Sequence, residues 1–397
     1  MPLDKMTVTE RRSVLTLSLI IALRMLGLFM VLPVFALYAQ QLKGATPLLI
    51  GLTIGIYGLT QAIFQIPFGA LSDYVGRKQI IIIGLLFFML GSILAALATN
   101  IWVMLIGRAL QGTGAVGSVI MALMADLTRT EQRTKAMAMA GMTIGFSFML
   151  ALILGPMLAI KISISGIFWC GVFFCSIAIG VLIFFVPSIT QPLSSNRSFF
   201  KQFVQTFIHP DLLKLNCGIF LLHAIFTASF VVLPIALQTQ NHIESHQQWI
   251  LYLPMLIFAF CLSMLCLLLA EKKQRVKFFF CGAIIFLGCA ELLLWFFSKN
   301  LLLSATSLLL FFAAFSLLEA LLPSLVSKIA PQQSRGTALG IYSFSQFFGI
   351  FVGGLLGGWL YGTFGLMQVN LFCAILASLW LAIAFKMKNP QYSNTAT

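Results

Sequence analysis

Five ionisable side chains stand inside long apolar runs of this sequence: Arg24, Arg108, His223, Glu291 and Glu319. A charge in hydrocarbon is expensive, so each of them is a functional candidate by default if those runs span a membrane. The two carboxylates and the imidazole can bind and release a proton. The two arginines keep theirs and can only pair, pack or hold an anion. Glu319 is the first candidate for a proton-carrying group, with Glu291 and His223 behind it. The competing reading of each is structural: a permanently protonated, hydrogen-bonded acid, which weighs more heavily for Glu291, and a packed, satisfied histidine. Neutral hydrogen-bonding groups accompany them, namely Tyr57, Gln61, Gln65, Gln111, Tyr342 and Gln346. Gln61 and Gln65 are one helical turn apart and therefore share a face. Groups of this kind either contact a solute or staple helices together.

Other chemistries find little support. His242, Glu244 and His246 spell H-x-E-x-H, which differs from the metalloprotease spacing H-E-x-x-H and reads as a solvated loop, so no metal site is expected. A membrane-embedded enzyme would need His, Asp or Cys clustered at one membrane face, and the sequence has no such cluster, Walker motif, nucleotide fingerprint or hydrolytic triad. No cofactor is expected, and energy for any uphill process has to come from an ion gradient. The 8 cysteines all fall in apolar runs with no C-x-x-C, as small buried hydrophobes do.

The elements that position these residues follow from composition. The chain is 60% hydrophobic and 9% charged, with mean hydropathy +1.03, which is that of a polytopic membrane protein. Twelve helical spans fit, at about 13–39, 48–72, 79–98, 101–125, 136–160, 166–187, 214–238, 248–270, 277–297, 301–327, 336–361 and 366–387. The net charge of +14 invites a nucleic-acid partner, but the positions of the charges argue against one. On these spans only Lys43, Lys161 and Lys299 of the 24 Lys and Arg face one side of the membrane. Arg24 and Arg108 lie within spans, and the rest face the other side. This is the positive-inside pattern, and it places both termini in the cytoplasm. The first span follows basic residues as a signal peptide would, but its length and the eleven spans after it mark an uncleaved helix.

An internal repeat divides the chain. Val31-Leu32-Pro33 recurs as Val232-Leu233-Pro234, a shift of 201. Arg133, Ala136 and Gly155-Pro156 are matched by Arg335, Ala338 and Gly357-Gly358, a shift of 202. Two matches at nearly one offset imply duplicated six-helix halves. The expected organisation is a bundle over 1–190, a linker over 191–213, and a second bundle over 214–397 that ends in a short cytoplasmic tail. In the linker Phe199, Phe200, Phe203, Val204 and Phe207 recur at helical spacing, which predicts an amphipathic helix lying on the membrane surface.

Gly69-Ala-Leu-Ser-Asp73-Tyr-Val-Gly76-Arg77-Lys78, wedged between two spans, reads as a tight turn: glycines bring helix ends together, and Asp73, misplaced at a helix C-terminus, needs a partner such as Arg77 or another helix's N-terminus. This decapeptide resembles motif A of the major facilitator superfamily. Gly107-Arg108-Ala-Leu-Gln111-Gly112-Thr-Gly114 resembles the family's motif B. Gly141, Gly145, Gly155 and Pro156 resemble motif C, the signature of its drug/proton antiporter branch. Arg24 to Pro33, Gly55 to Gln61 and Glu319 to Ser324 resemble the bacterial YajR-type group within it.

The resemblance covers nearly the whole chain and implies an all-α membrane protein of twelve helices in two pseudo-symmetric halves. It further implies a monomer in the bacterial inner membrane that exports small lipophilic or amphipathic compounds in exchange for protons by alternating access. A dedicated exporter of one metabolite, a proton symporter, and a non-transporting receptor are the alternatives. In this family spans 1, 4, 7 and 10 line a central cavity, which would hold Arg24, Arg108, His223 and Glu319, while motif A biases the conformational equilibrium by contacting the start of span 11. Two departures stand out. The counterpart of motif A, Ala270 to Lys277, lacks the glycines, so the latch is expected to rest on the first half. The tail after Lys388 is too short for the small cytosolic domain that relatives can carry.

Overall fold

The computed structural model describes residues 6–187, 205–331 and 334–387. The chain divides into two compact units, Met1–Ser195 and Asn196–Thr397.

Unit 1 holds α1 (Val8–Phe29), α2 (Leu32–Ala39), α3 (Pro47–Val75), α4 (Arg77–Ala96), α5 (Ile101–Thr113), α6 (Gly117–Asp126) and α7 (Thr130–Phe185). Local sequence explains where these helices start. Thr7 and Glu10 form a reciprocal capping box at α1, Thr46 caps Leu49 N–H with Pro47 at the first helical position of α3, and Asn100 caps Val103 N–H at α5. Glu10 also reaches across the unit: its Oε1 accepts from Arg129 N–H and Nε, each at 2.9 Å, which fixes the start of α7 against the start of α1.

Two expected spans are broken. The first is interrupted at Met30-Val31, between α1 and α2, and the fourth at residues 114–116, between α5 and α6. Two others run together in α7. Its 56 residues would extend about 84 Å as one rod, nearly three bilayer cores. The break is at Ser163, whose φ of 59° and ψ of 177° turn the chain back and separate spans five and six.

Unit 2 holds α8 (Pro210–Thr239), α9 (Gln248–Lys272), α10 (Val276–Phe297), α11 (Leu301–Ile329), α12 (Arg335–Phe364) and α13 (Leu366–Phe385). Asn300 caps Leu303 N–H at α11 as Asn100 caps α5, one more match, at a shift of 200. The pairing of helices also repeats: α1 packs on α7, α3 on α5 and α4 on α7 in unit 1, and α8 packs on α12, α9 on α11 and α10 on α13 in unit 2. These are twelve membrane helices in two pseudo-symmetric six-helix sets. Large apolar side chains such as Phe173, Phe184, Phe258 and Leu302 are exposed around both units, as lipid-facing side chains are.

Of the apolar residues expected on the linker helix, Phe199, Phe200, Phe203 and Val204 lie outside the described residues; 205–208 is helical and Phe207 is exposed. The tail from Lys388 onward also lies outside them.

Candidate functional site

Three of the predicted residues meet in unit 2. His223 comes from α8, Glu319 from α11 and Gln346 from α12. The His223 Nδ1–H donates to the Ile219 carbonyl at 3.3 Å, which leaves Nε2 as an acceptor. The Gln346 amide has two hydrogens and two acceptors, His223 Nε2 at 2.9 Å and Glu319 Oε1 at 3.1 Å. His223 Nε2 also lies 3.9 Å from Glu319 Oε2, an oxygen with no hydrogen-bond partner among the described residues. The Glu319 side chain is 38% exposed and that of His223 8%, while Glu319 Oε2 itself is buried. Tyr342, one turn from Gln346, is buried, and its hydroxyl has no partner among the described residues.

Backbone packing and aromatic rings hold this cluster in place. A Cβ on Gly349, Gly353 or Gly357 of α12 would run into the backbone of Phe220, Ala224 and Ala228 of α8. The three glycines form a stripe with a period of four, so the helices approach closely and Gln346 comes within reach of His223. On the other side the His223 ring meets Phe315 edge-on at 5.7 Å, and Phe226 stacks on Phe315 at 4.7 Å, joining α8 to α11.

The two predicted arginines are the centre of a buried network in unit 1. Arg24 Nη2 donates to Gln61 Oε1 at 2.9 Å, to Tyr57 Oη at 3.2 Å and to the Gly114 carbonyl at 3.0 Å. That last acceptor exists because the α5–α6 break leaves Gly114 outside any helical ladder. Arg108 Nη1 donates to Gln111 Oε1 at 2.7 Å, Gln111 Nε2 donates to Ser92 Oγ at 2.8 Å, and the Arg108 guanidinium lies 5.2 Å from the Tyr57 ring centre. Arg24, Tyr57, Gln61, Arg108 and Gln111 are all buried, and no carboxylate bonds either guanidinium among the described residues. Gln65 is buried a turn from Gln61, its Oε1 without a partner among the described residues.

Glycines again permit the approach. A Cβ on Gly112 would run into the Tyr57 carbonyl, and one on Gly114 into the Gly84 carbonyl. Gly155 packs in the same way on the Met30 carbonyl and the Pro33 ring, at the α1–α2 break, beside buried Pro156. A Cβ on Gly145 or Gly141 would meet nothing within 4 Å.

At the α3–α4 joint Gly76 has φ 111°, a backbone that glycine adopts without strain. Gly69 has room for a Cβ, the nearest atom being Ser118 Oγ at 3.9 Å. Arg77 Nη2 pairs with Asp73 at 2.7 Å, its Nε with Asp126 Oδ2 at 3.1 Å and its Nη1 with Ser72 Oγ at 2.6 Å. Asp73 thus has the arginine partner its helix-terminal position required. Lys78 Nζ donates to the Val186 carbonyl at 2.7 Å, beyond the end of α7.

Sequence reasoning missed Asp126, which lies one residue past the expected fourth span and has the same helix-terminal misplacement as Asp73. It also missed Ser92, a single hydroxyl in an apolar run, and the Gly349–Gly353 stripe, whose period-four spacing was a readable signal. Glu291 stands apart from the Glu319 cluster, fully buried on α10, where it accepts from Ser229 Oγ. In the 240–247 loop Glu244 and His246 form an exposed pair at 3.1 Å, and no group of three or more metal-ligating side chains occurs among the described residues.

The family model of the Major Facilitator Superfamily matches residues 17–336 and 215–396. The chain is 45% identical over 392 residues to the inner membrane transport protein YajR of Escherichia coli (strain K12), covering 98% of this chain and 86% of that protein. Over 150 residues, 37% of this chain and 36% of the other, it is 33% identical to the class H tetracycline resistance protein of Pasteurella multocida. The crystal structure of a D-xylose-proton symporter superposes with a TM-score of 0.77 at 15% identity, over 96% of this chain and 98% of that one, a likeness of fold alone. With two breaks in its spans, two buried arginines and the motif A ion pairs all set on twelve apolar helices, this chain belongs to the major facilitator superfamily of membrane transporters.

Proposed function

We propose that this transporter exports small lipophilic or amphipathic compounds across the inner membrane in exchange for protons, by alternating access, with both termini in the cytoplasm. The observation that carries this reading is the Glu319 side chain: partly exposed, tied through one amide to an unprotonated imidazole nitrogen, and left with a buried oxygen, without a hydrogen-bond partner among the described residues, 3.9 Å from that nitrogen. Glu319 is the proton carrier, and His223, whose Nε2 lies 3.9 Å from Glu319 Oε2, is the neighbouring base that the Gln346 amide holds in place. The motif C glycines and the similarity to a tetracycline resistance protein over a third of the chain support export. One proton moving through ~100 mV releases ~2.3 kcal/mol, sufficient for a roughly 50-fold solute gradient, so a single titrating carboxylate is enough. The working form is a monomer in lipid, a six-helix bundle over 1–190 joined by the 191–213 linker to a second over 214–397. It needs no cofactor beyond the proton gradient and has no nucleic-acid partner.

The test is substrate-induced proton movement in proteoliposomes, followed with a pH-sensitive dye across lipophilic cations, neutral drugs and anionic metabolites. Proton movement opposite to the solute in the native protein, lost in Glu319→Gln, is the expected result. Movement in the same direction as the solute would mark a symporter, and flux surviving in Glu319→Gln would remove this residue from coupling.

A further inference from the structure

Glu291 is the second carboxylate within the apolar spans of unit 2, beside Glu319. It is fully buried where α8, α10 and α13 meet. Its Oε1 lies 2.5 Å from Ser229 Oγ, and Oε2 has no partner among the described residues. The Ser229 hydroxyl hydrogen has two acceptors in reach, Glu291 Oε1 and the Ile225 carbonyl at 2.8 Å. This arrangement serves both protonation states. An ionised Glu291 accepts the hydroxyl hydrogen. A protonated Glu291 donates its own hydrogen to Ser229 Oγ while the hydroxyl turns to Ile225.

A narrow cleft begins one turn from this pair, and neither Glu291 nor Ser229 lines it. It is lined by Leu233 of α8 and Gln240 just past its end, by Leu294 of α10 and Ser298 just past its end, and by Leu366 and Asn370 of α13. Leu233 is one turn beyond Ser229, Leu294 one turn beyond Glu291, and Asn370 one turn from Cys373, whose Sγ lies 3.8 Å from Ser229 Oγ. On each of the three helices the cleft lining therefore starts one turn from a member of the Glu291, Ser229 and Cys373 cluster, and at the same end. Gln240 Oε1 and Ser298 Oγ are buried there without partners among the described residues, so the cleft has hydrogen-bonding groups along it. Towards the other end the site is closed by buried Leu222, Leu287, Ala377 and Trp380.

The surroundings hold one further titratable group. On α13 it is Cys373; on α8 the nearest is His223, six residues further from the cleft than Ser229; α11 presents Ser307, which donates to the Ala290 carbonyl at 2.7 Å, and its Glu319 is twelve residues beyond. Among the described residues no fixed charge compensates Glu291, so the gain or loss of its proton changes the charge of the site without a counter-ion.

We infer that Glu291 is a second proton-binding site, filled and emptied through the cleft at the 240, 298 and 366 end of unit 2, and independent of Glu319. The test reads protonation rather than transport, so it stands whether or not Glu319 couples flux. Infrared difference spectra between acid and alkaline buffer are recorded on the full chain in lipid, comparing Glu319→Gln with Glu319→Gln/Glu291→Gln. A carboxylic-acid carbonyl band that disappears on raising the pH in the first and is absent from the second is expected. Spectra that are identical show a Glu291 fixed in one state and overturn the inference. If the double variant does not fold, a hydrophobic carbodiimide on Glu319→Gln, with modified Glu291 quantified by mass spectrometry, replaces it: labelling that falls as pH rises is expected, and pH-independent or absent labelling overturns it. Leu294→Trp fills the cleft and is expected to slow the band's response to a pH jump at least tenfold; an unchanged rate removes the cleft as the route.

Discussion

Lys78 and Lys277 hold the same place in the two six-helix units. Each stands in the first turn of one helix and donates to carbonyls at or just beyond the end of the last helix of its unit: Lys78 Nζ to Val186 at 2.7 Å, Lys277 Nζ to Met387 at 2.6 Å and to Phe385 at 2.9 Å. These carbonyls have no intrahelical donor, and an ammonium there also complements the negative end of the helix. Lys78→Met and Lys277→Met are each expected to cost about 0.3–1 kcal/mol. Thermal unfolding in detergent checks this, and a loss confined to one lysine would break the equivalence.

The equivalence stops at the lysine. The residues 199 positions on from Asp73, Arg77 and Asp126 are Lys272, Val276 and Leu325, so the ion-pair cluster exists in unit 1 alone among the described residues. Within it the two carboxylates differ, because the Asp126 side chain is 19% exposed and that of Asp73 49%. A pair at the surface contributes little, and a half-buried one more. Asp126→Asn is therefore expected to cost about 1 kcal/mol and Asp73→Asn only a few tenths. Equal shifts in unfolding temperature would show that Arg77 leans on both alike.

How much of this was legible in sequence depended on range. The spans, the loop and the two halves were readable because hydrophobic length, positive charge and local motifs are properties of short stretches. Arg77 as the partner of Asp73 was readable for the same reason, being four residues away. The Arg24 network was not. It depends on Gly114 losing its helical hydrogen bond 90 residues downstream, and nothing local to Arg24 signals that break. Gln346 was identified as a polar neighbour, but its bridging of His223 and Glu319 follows from the close packing of α12 on α8. Ser229 looked like any small residue in an apolar helix until Glu291 was placed against it.

The glycine stripe gives a sharper steric prediction. A Cβ at Gly353 would run into the Ala224 backbone, which cannot move aside as a flexible side chain can, whereas a Cβ at Gly141 would meet nothing within 4 Å. Gly353→Ala has to push α12 off α8 and is expected to cost about 1–3 kcal/mol, while Gly141→Ala stays within about 0.5 kcal/mol or gains slightly in helix propensity. Unfolding temperatures of the two variants in one detergent decide the matter. A tolerated Gly353→Ala would show that the two helices have slack between them.

Gln346 offers the strictest test of the proton site, because one amide serves both His223 and Glu319. If the three work as a unit, removing any one member removes most of what the others contribute, and the losses will not add. Gln346→Leu keeps a similar shape but has no donor, and is expected to lower substrate-dependent proton flux about tenfold, some 1.4 kcal/mol. His223→Leu is expected to do the same by taking the acceptor away. The double variant then falls no further than the worse single one. Proton flux in proteoliposomes, measured for all four proteins at one pH, gives the coupling directly. Losses that multiply, to about a hundredfold, would show that the histidine and the amide act separately and that Glu319 works without the bridge.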